Sequence, residues 1–327
     1  MRGIRKTAWK ATIATVGIAV ASVAFASPAL ATVPAPATAT RPAGSTWTAF
    51  PEGRLLVDNG RDLSQVAGGR LRTLVAGSTF QRKYGSFTKN GTKIVYSDVG
   101  RRGFGAQLWV MDATGGGRHQ ITALTAEAFG AKFSPDGSKI AFQTAAGGAA
   151  AIWLVGVDGA RPHQISKPGS SSYYGPGLSW APDGQKLVAT RAQVDENSGE
   201  PYHWQLVTIR ADGANETALT SAGGDKNSPV WSPSGRTIVF SYITPAGMQA
   251  GTQYDLYSMN ANGTGLHRLT DTPNVGEQDA VFSPSSTAIA YASWRPEETA
   301  PQVMKAKADG TVTKAVNATG YPTGWER

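Results

Sequence analysis

The chain reads Phe133-Ser-Pro-Asp-Gly-Ser-Lys-Ile-Ala-Phe142, and three later stretches repeat this pattern. The repeats begin at Trp180, Trp231 and Phe282, and a weaker copy begins earlier, at Phe87. From Phe87 onward, the copies start 46, 47, 51 and 51 residues apart. Short runs of Ile, Val, Phe, Tyr and Trp that recur at this period predict the blades of a β-propeller and not a helical repeat.

Each copy contains four short strands that turn-forming residues separate. In the copy that begins at Phe133, the apolar run 152–155 is followed by Asp158-Gly159 and then by His163-Gln-Ile-Ser166. Pro-Asp-Gly and Asp-Gly supply the positive φ angles of tight hairpin turns. Each copy is therefore predicted to be a four-stranded antiparallel meander, with strands named A to D in chain order.

A single sheet of this kind cannot cover both of its faces, whereas sheets packed radially bury them against each other. A degenerate copy that begins at Phe50 brings the number of copies to six. The predicted fold is therefore an all-β, six-bladed β-propeller of four-stranded antiparallel blades. Its A–B turns require positive φ at Gly184 and Gly235.

The repeat motif resembles the TolB-type propeller repeat, in which an aromatic-Ser-Pro-Asp-Gly element opens a blade and Asp-Gly splits its outer hairpin. The resemblance covers about residues 46–327, although Ser285-Ser286 replaces Asp-Gly in the last copy. It implies a propeller that binds a protein partner. TolB has an additional α/β domain before its propeller, so the resemblance extends to the propeller and not to the whole translocation protein.

The end of the chain predicts how the ring closes. Gly320-Tyr-Pro-Thr-Gly-Trp325 is similar to the approach to strand A in Gly175-Pro-Gly-Leu-Ser-Trp180. We expect this segment to add the innermost strand of the first blade. The alternative is a tail that belongs to no blade.

The first 31 residues have the features of a secretory signal peptide. Four basic residues precede an apolar run at 11–26, and Ala29-Leu-Ala31 matches the cleavage pattern. The alternative, a membrane anchor, needs a longer apolar run than this one. We predict cleavage before Thr32, an Ala/Pro/Thr-rich linker at 32–45, and a secreted or envelope protein.

Composition narrows the possible partners. The chain has no cysteine, which excludes disulfides and a lipid-bearing cysteine at the cleavage site. The net charge of +8 falls to +4 without the first 31 residues, and the remaining basic residues are dispersed. We therefore expect no nucleic-acid partner, no membrane span in the mature chain, and a monomer.

The residues that carry catalysis in other proteins do not converge in this sequence. Three of the four histidines, His119, His163 and His267, recur at one position of strand D in different blades, so they lie far apart on a ring. The nearest match to a nucleophile elbow, Gly177-Leu-Ser179-Trp-Ala181, lies in a strand A. The sequence thus predicts a protein that is not an enzyme and has no histidine-bound metal.

In a meander, the A–B and C–D turns share one face of the ring, here called the tight-turn face. The B–C and D–A connections share the opposite face, called the loop face, where residues 191–202 and 243–254 are predicted to form the longest loops. Loops on a rigid scaffold are the usual place of recognition. The predicted binding residues lie on the loop face and around the mouth of the channel: Arg82, Lys83, Tyr84, Glu127, Tyr173, Tyr174, Tyr202, Asp225, Asn227, Glu277 and Asp279.

Two functions remain open at this point. The first is a non-catalytic, secreted propeller that binds a protein or peptide partner of the cell envelope through the loop face and channel mouth. The alternative is an enzyme or carbohydrate-binding protein that acts on an envelope polysaccharide, with Tyr173, Tyr174 and Tyr202 stacked on sugars and Glu277 and Asp279 as carboxylates.

No cofactor is predicted, with one alternative. Asp225, Glu277 and Asp279 all belong to D–A connections that lead toward the channel. Carboxylate oxygens are the ligands that Ca²⁺ prefers. A Ca²⁺ ion at the channel, held by these three residues, is the alternative expectation.

Overall fold

The computed structural model describes residues 53–77, 82–99, 105–146, 149–166, 173–194, 201–221, 223–250, 253–311 and 313–326. All of them belong to one compact unit, residues 47–327. The predicted signal peptide, its cleavage site and the linker lie outside the described residues. Within the described part of the chain, no helix is both long and apolar enough to cross a membrane.

The first three blades are antiparallel sheets of four strands each. Blade 1 consists of β24 (Tyr321–Glu326), β1 (Arg54–Asp58), β2 (Leu63–Ala67) and β3 (Arg70–Val75). Blade 2 consists of β4 (Ser86–Phe87), β5 (Lys93–Val99), β6 (Ala106–Asp112) and β7 (His119–Gln120). Blade 3 consists of β8 (Glu127–Phe133), β9 (Lys139–Ala146), β10 (Ala149–Gly156) and β11 (His163–Gln164).

The other three blades repeat this order, with one short helix between two strands of blade 5. Blade 4 consists of β12 (Tyr173–Trp180), β13 (Lys186–Val194), β14 (Pro201–Arg210) and β15 (Thr217–Ala218). Blade 5 consists of β16 (Lys226–Trp231), β17 (Thr237–Tyr242), α1 (Pro245–Ala250), β18 (Asp255–Asn260) and β19 (His267–Arg268). Blade 6 consists of β20 (Gly276–Phe282), β21 (Ala288–Trp294), β22 (Gln302–Lys307) and β23 (Lys314–Thr319).

The six sheets form a ring, which confirms the predicted six-bladed propeller. The innermost strands contact one another in the order β24, β4, β8, β12, β16 and β20, and β20 contacts β24 again. The core lies between adjacent sheets. For example, Leu55 and Val57 of blade 1 pack with Val281 and Ala290 of blade 6.

Strand β24 closes the ring, as the sequence predicted. It pairs antiparallel with β1, so that Trp325 lies opposite Leu55 and Tyr321 lies opposite Asp58. Where β1 begins and β24 ends, Arg54 Nε donates to Glu326 Oε1 at 2.6 Å. The two ends of the propeller sequence therefore share one sheet.

The repeated motif has a defined role in each A–B turn. Gly184 has φ 69° and Gly235 has φ 74°, which confirms the predicted turn geometry. In blade 6, Ser286 takes the same conformation with φ 61°, so the turn persists without glycine. The serine of the motif fixes the turn, because Ser134 Oγ accepts the Lys139 N–H at 3.0 Å.

The His-Gln-Ile-Thr segments attach strand D to strand C. Thr122 Oγ1 accepts the Leu108 N–H at 2.8 Å in blade 2, and Thr270 Oγ1 accepts the Leu256 N–H at 2.9 Å in blade 5. The histidine that begins each of these segments is exposed on an outer strand. These repeated polar residues therefore stabilise the blades.

The glycine of the C–D turn packs against the neighbouring blade. Gly159 has φ 85°, and a Cβ atom there would lie 2.6 Å from the carbonyl oxygen of Ile121 in blade 2. Gly263 meets Leu219 of blade 4 in the same way, at 2.7 Å. Glycine is thus required at these turns both for its φ angle and for the close approach of two blades.

Two substitutions in blade 3 separate these requirements. Gly137 also has positive φ (73°), but a Cβ there would meet no atom within 4 Å. We expect Gly137→Ala to lower the free energy of unfolding by about 1 kcal/mol, the cost of a left-handed alanine.

Gly159→Ala should cost at least about 2 kcal/mol, because the backbone of the two blades must also move apart. Urea denaturation of both variants gives the comparison. Equal losses of stability would contradict the role of Gly159 in blade packing.

Candidate binding site at the central channel

In five blades, the residue three positions before the opening aromatic residue has a left-handed backbone conformation. The residue at this position has a positive φ angle in each of Tyr84 (49°), Gly130 (65°), Gly177 (95°), Ser228 (49°) and Asp279 (53°). In β8, β12, β16 and β20 the register also shifts here, as in a β-bulge. Bulges re-aim side chains, and left-handed non-glycine residues are concentrated at functional sites.

The three non-glycine residues at this position meet around Arg82. Arg82 Nη1 donates to Asp279 Oδ2 at 3.1 Å, and Asp279 Oδ1 accepts a hydrogen bond from Ser228 Oγ at 2.6 Å. The Arg82 guanidinium lies 4.6 Å from the centre of the Tyr84 ring and 3.9 Å from that of Tyr321. We call these five residues, which come from blades 1, 2, 5 and 6, the channel cluster.

Asp58 supports the channel cluster from the end of strand β1. It is fully buried, and its Oδ2 atom accepts the N–H groups of Lys83 at 2.8 Å and of Tyr84 at 3.0 Å. The same oxygen lies 3.5 Å from Arg82 Nε. Asp58 therefore holds the D–A connection of blade 2 in the position that carries Arg82 toward the channel.

Arg82 is the charged centre of the cluster. Burial opposes its charge, but Asp279, Tyr84 and Asp58 outweigh this effect and raise the pKa of Arg82 above its usual value. Its side chain is still 21% exposed. Burial likewise raises the pKa of Tyr84 and of Tyr321, so both phenols stay neutral at physiological pH.

Three predicted binding residues are buried and require a correction. Lys83 is 2% exposed, and its Nζ atom pairs with Asp98 Oδ1 at 2.5 Å. Tyr174 is 1% exposed and donates its hydroxyl to Glu216. Glu277 is 2% exposed. Because these side chains bind other parts of the propeller, we leave them out of the proposed contact surface.

Three other predicted residues lie at the starts of inner strands but outside the channel cluster. Asp225 is half-buried and accepts the Trp204 N–H at 3.1 Å, and Asn227 is half-buried in β16. Glu127 is exposed at the start of β8. They are spread over blades 3 and 5 and form no common site with Arg82.

The two remaining predicted residues lie in strands of blade 4. Tyr173 pairs with Ala192 at the start of β12, and Tyr202 pairs with Gln193 in β14. Strands β13 and β14 therefore extend into residues 191–202, where the sequence predicted a loop. The second predicted loop, 243–254, contains helix α1. Strand pairing thus reaches further toward the loop face than the turn signals indicated.

The three carboxylates of the alternative expectation, a Ca²⁺ site at the channel, do not meet. Asp279 binds Arg82 and Ser228, whereas Asp225 binds the backbone of Trp204. Glu277 is buried between blades 5 and 6. Among the residues that the structure describes, no three His, Cys, Asp or Glu side chains form a group that fits a metal ion.

Glu277 instead forms a carboxyl pair with Asp255. Thr270 Oγ1 donates to Glu277 Oε2 at 3.3 Å. Burial raises the pKa of Glu277 to about 7; a hydrogen bond from Thr272 opposes this shift and the charge of Asp255 adds to it. Burial also raises the pKa of Asp255, although its ion pair with Arg268 acts in the opposite direction.

This pair predicts a pH-dependent stability. The pKa of Glu277 rises from 4.5 to about 7 on folding, so its contribution to stability is present below pH 4.5 and is lost as the pH rises to 7. We expect Glu277→Gln, which cannot ionise, to stabilise the fold at pH 8 by about 1–2 kcal/mol and to change it little at pH 4.5.

Thermal melts of the wild type and the variant at pH 4.5 and pH 8 test this. Glu297→Gln, at an exposed position of the same blade, removes one charge and is the control. An equal difference in Tm between Glu277→Gln and the wild type at both pH values would contradict the buried pair.

Sequence reasoning missed three residues of the channel. Asp58 ends a B strand of the most degenerate copy, and Tyr321 belongs to the closing strand. Lys132 lies on the inner strand β8, and its Nζ atom donates to the Thr323 carbonyl at 2.8 Å. Lys132 had a visible signal, because Ser86 and Ser179 precede the opening aromatic residue in neighbouring copies, where this copy has a lysine.

The comparison with family models identifies this fold by sequence. Residues 62–250, more than half of the chain, match the TolB beta propeller domain. The chain therefore belongs to the TolB β-propeller domain family, as the repeat motif indicated.

Curated relatives match only part of this chain. The uncharacterized peptidase YuxL of Bacillus subtilis is 24% identical in an alignment of 214 positions that covers 53% of this chain and 31% of that protein. The uncharacterized protein Atu1656 of Agrobacterium fabrum is 27% identical over 164 residues, 49% of each chain. The chain thus spans half or less of the length of these relatives.

Solved structures agree on the fold. A putative TolB from Agrobacterium tumefaciens superposes with a TM-score of 0.63 at 19% identity, over 84% of this chain and 93% of that one. TolB from Acinetobacter baumannii gives 0.64 at 19% identity, over 84% and 66%. Oligogalacturonate lyase from Vibrio parahaemolyticus gives 0.53 at 14% identity, over 80% and 66%. At these identities the likeness concerns the fold alone.

Proposed function

We propose that this protein is a non-catalytic, secreted propeller that binds a protein or peptide segment through its loop face and channel mouth. The observation that carries the proposal is the channel cluster. It combines an arginine, two tyrosines and three strained backbone positions at the centre of one face. Arginine and tyrosine are among the residues that dominate binding energy at protein interfaces.

The arrangement around Arg82 is suited to recognition because contacts within the propeller already hold the side chain before any partner arrives. Asp279 and Asp58 fix the guanidinium, and the rings of Tyr84 and Tyr321 lie within contact distance of it. A side chain held in this way loses little conformational entropy on binding. Its partly exposed surface is then available to carbonyl groups, carboxylates or aromatic side chains of a partner.

Export to the cell envelope is part of this proposal. Its support is the basic and apolar N-terminal segment and the cleavage pattern that ends at Ala31. The family resemblance to TolB supports an envelope partner. N-terminal sequencing of protein recovered from the culture medium or envelope should begin at Thr32, and material that begins at Met1 would contradict export by a cleaved signal.

Substitution of Arg82 tests the binding face. A pull-down from envelope extract with the purified protein identifies the partner, and titration calorimetry measures its affinity. We expect Arg82→Ala to weaken binding about thirtyfold, equivalent to about 2 kcal/mol for a central interface residue. Arg82→Lys should lose part of this affinity, because lysine keeps the charge without the planar contacts.

Arg210→Ala is the matched control. Arg210 is exposed on the tight-turn face, where it pairs with Asp212 at 3.0 Å. The proposal requires unchanged affinity in this variant. Because Arg82→Ala leaves Asp58 and Asp279 without their cation and should lower the Tm, affinities are compared at a temperature at which all three variants are folded. Loss of affinity in the control alone would place the partner on the tight-turn face.

The alternative, an enzyme or carbohydrate-binding protein for an envelope polysaccharide, loses part of its basis. The sequence suggested that Glu277 and Asp279 act together, but Glu277 bonds to Thr270 and Asp279 bonds to Arg82 and Ser228. The similarity to a lyase concerns the fold. Depolymerisation of an envelope polysaccharide by the purified protein, abolished by Asp279→Asn, would establish this alternative over the first proposal.

A further inference from the structure

Lys132 places a positive charge deep in the central channel. It occupies the inner-strand position directly before the opening aromatic residue. The other five blades have small or apolar residues at this position, namely Ser86, Ser179, Val230, Val281 and Gly324. The position lies two residues past the left-handed residue of the strand, or about 7 Å further from the loop face.

The surroundings of Lys132 distinguish it from a core lysine. Protein surrounds the side chain closely enough for burial to lower its pKa to about 8, yet solvent still reaches part of the residue. A residue on the wall of the channel, surrounded by protein on most sides but still reached by solvent, has these two properties. Its ammonium group donates to the Thr323 carbonyl at 2.8 Å, across the ring in blade 1.

The ammonium group lacks an anionic partner of its own within the described part of the chain. Asp279, the carboxylate that acts on Lys132, already pairs with Arg82 and accepts a hydrogen bond from Ser228. Asp279 favours the charge on Lys132 and Arg82 opposes it. One carbonyl contact leaves two ammonium protons available for an incoming acceptor.

We propose that the central channel binds a carboxylate group against Lys132, on the side of the Arg82–Asp279 ion pair that faces away from the loop face. A single uncompensated cation suits a monoanion, because a dianion would leave surplus negative charge beside Asp279. This site is separate from the contact at the loop face and does not depend on the proposed partner.

The carboxylate can belong to a small organic acid or to the C-terminus of a short peptide, and the probes distinguish the two. Acetate and glucuronate represent free acids, and acetyl-diglycine with a free or an amidated C-terminus represents peptides. Acetamide is the neutral isostere. NMR titrations that follow the Lys132 side chain measure each affinity and the pKa of the ammonium group.

We expect saturable binding of at least one carboxylate and none of acetamide. Bound carboxylate should raise the pKa of Lys132, and affinity should fall by up to tenfold per pH unit above pH 8, where free Lys132 loses its proton. Tighter binding of the free acids than of acetyl-diglycine identifies a small-acid site, and the reverse order identifies a peptide C-terminus.

Three variants complete the test. Lys132→Met should weaken carboxylate binding at least tenfold. Lys132→Arg keeps the positive charge and should retain binding, so it still tests the proposal if the methionine variant does not fold. Lys139→Met removes an exposed lysine of the same blade and should bind like the wild type. Undiminished binding in Lys132→Met, equal binding of acetamide, or no saturable binding of any carboxylate would overturn the proposal.

Discussion

The pairing of β24 with β1 is the constraint on which the rest of the structure depends. Each blade buries its faces only against its neighbours, so an open ring would leave two sheets half-covered. Closure also assembles the channel. It brings Tyr321 and Thr323 from the last strand of the propeller beside Asp58 from the first, and all three contact residues of blades 2 or 3. The candidate sites at the channel are therefore products of ring closure.

The inner strands share one backbone conformation but differ in their side chains. Five of them place a left-handed residue at the same position, which keeps the geometry of the channel wall constant around the ring. Glycine fills this position in blades 3 and 4, whereas Tyr84, Ser228 and Asp279 accept backbone strain in the others. The strained residues are those that meet around Arg82. Backbone strain thus lies at the positions where recognition is proposed, as is common at functional sites.

The sequence predicted much of the fold because the repeat acts locally. Turn residues, apolar runs and the closing segment each contain their own structural signal. The site was predicted less well. Arg82, Tyr84 and Asp279 meet at one place in the channel, but Lys83, Tyr174 and Glu277 are buried. In β12 and β20 the register shifts close to Tyr174 and Glu277, so simple alternation along the strand does not predict which side chains face the channel. Contacts across the ring, such as that of Lys132 with Thr323, join residues 191 positions apart. Such contacts cannot be predicted from local sequence patterns.

Amide hydrogen exchange of β24 tests most directly whether ring closure builds the channel. If it does, the hydrogen-bonded amides of β24 exchange as slowly as those of β1, and both open only with global unfolding. The amides around the channel cluster should then share this protection. Exchange of β24 that is orders of magnitude faster than that of β1 and β2 would contradict closure, since Tyr321 and Thr323 would then belong to a frayed end.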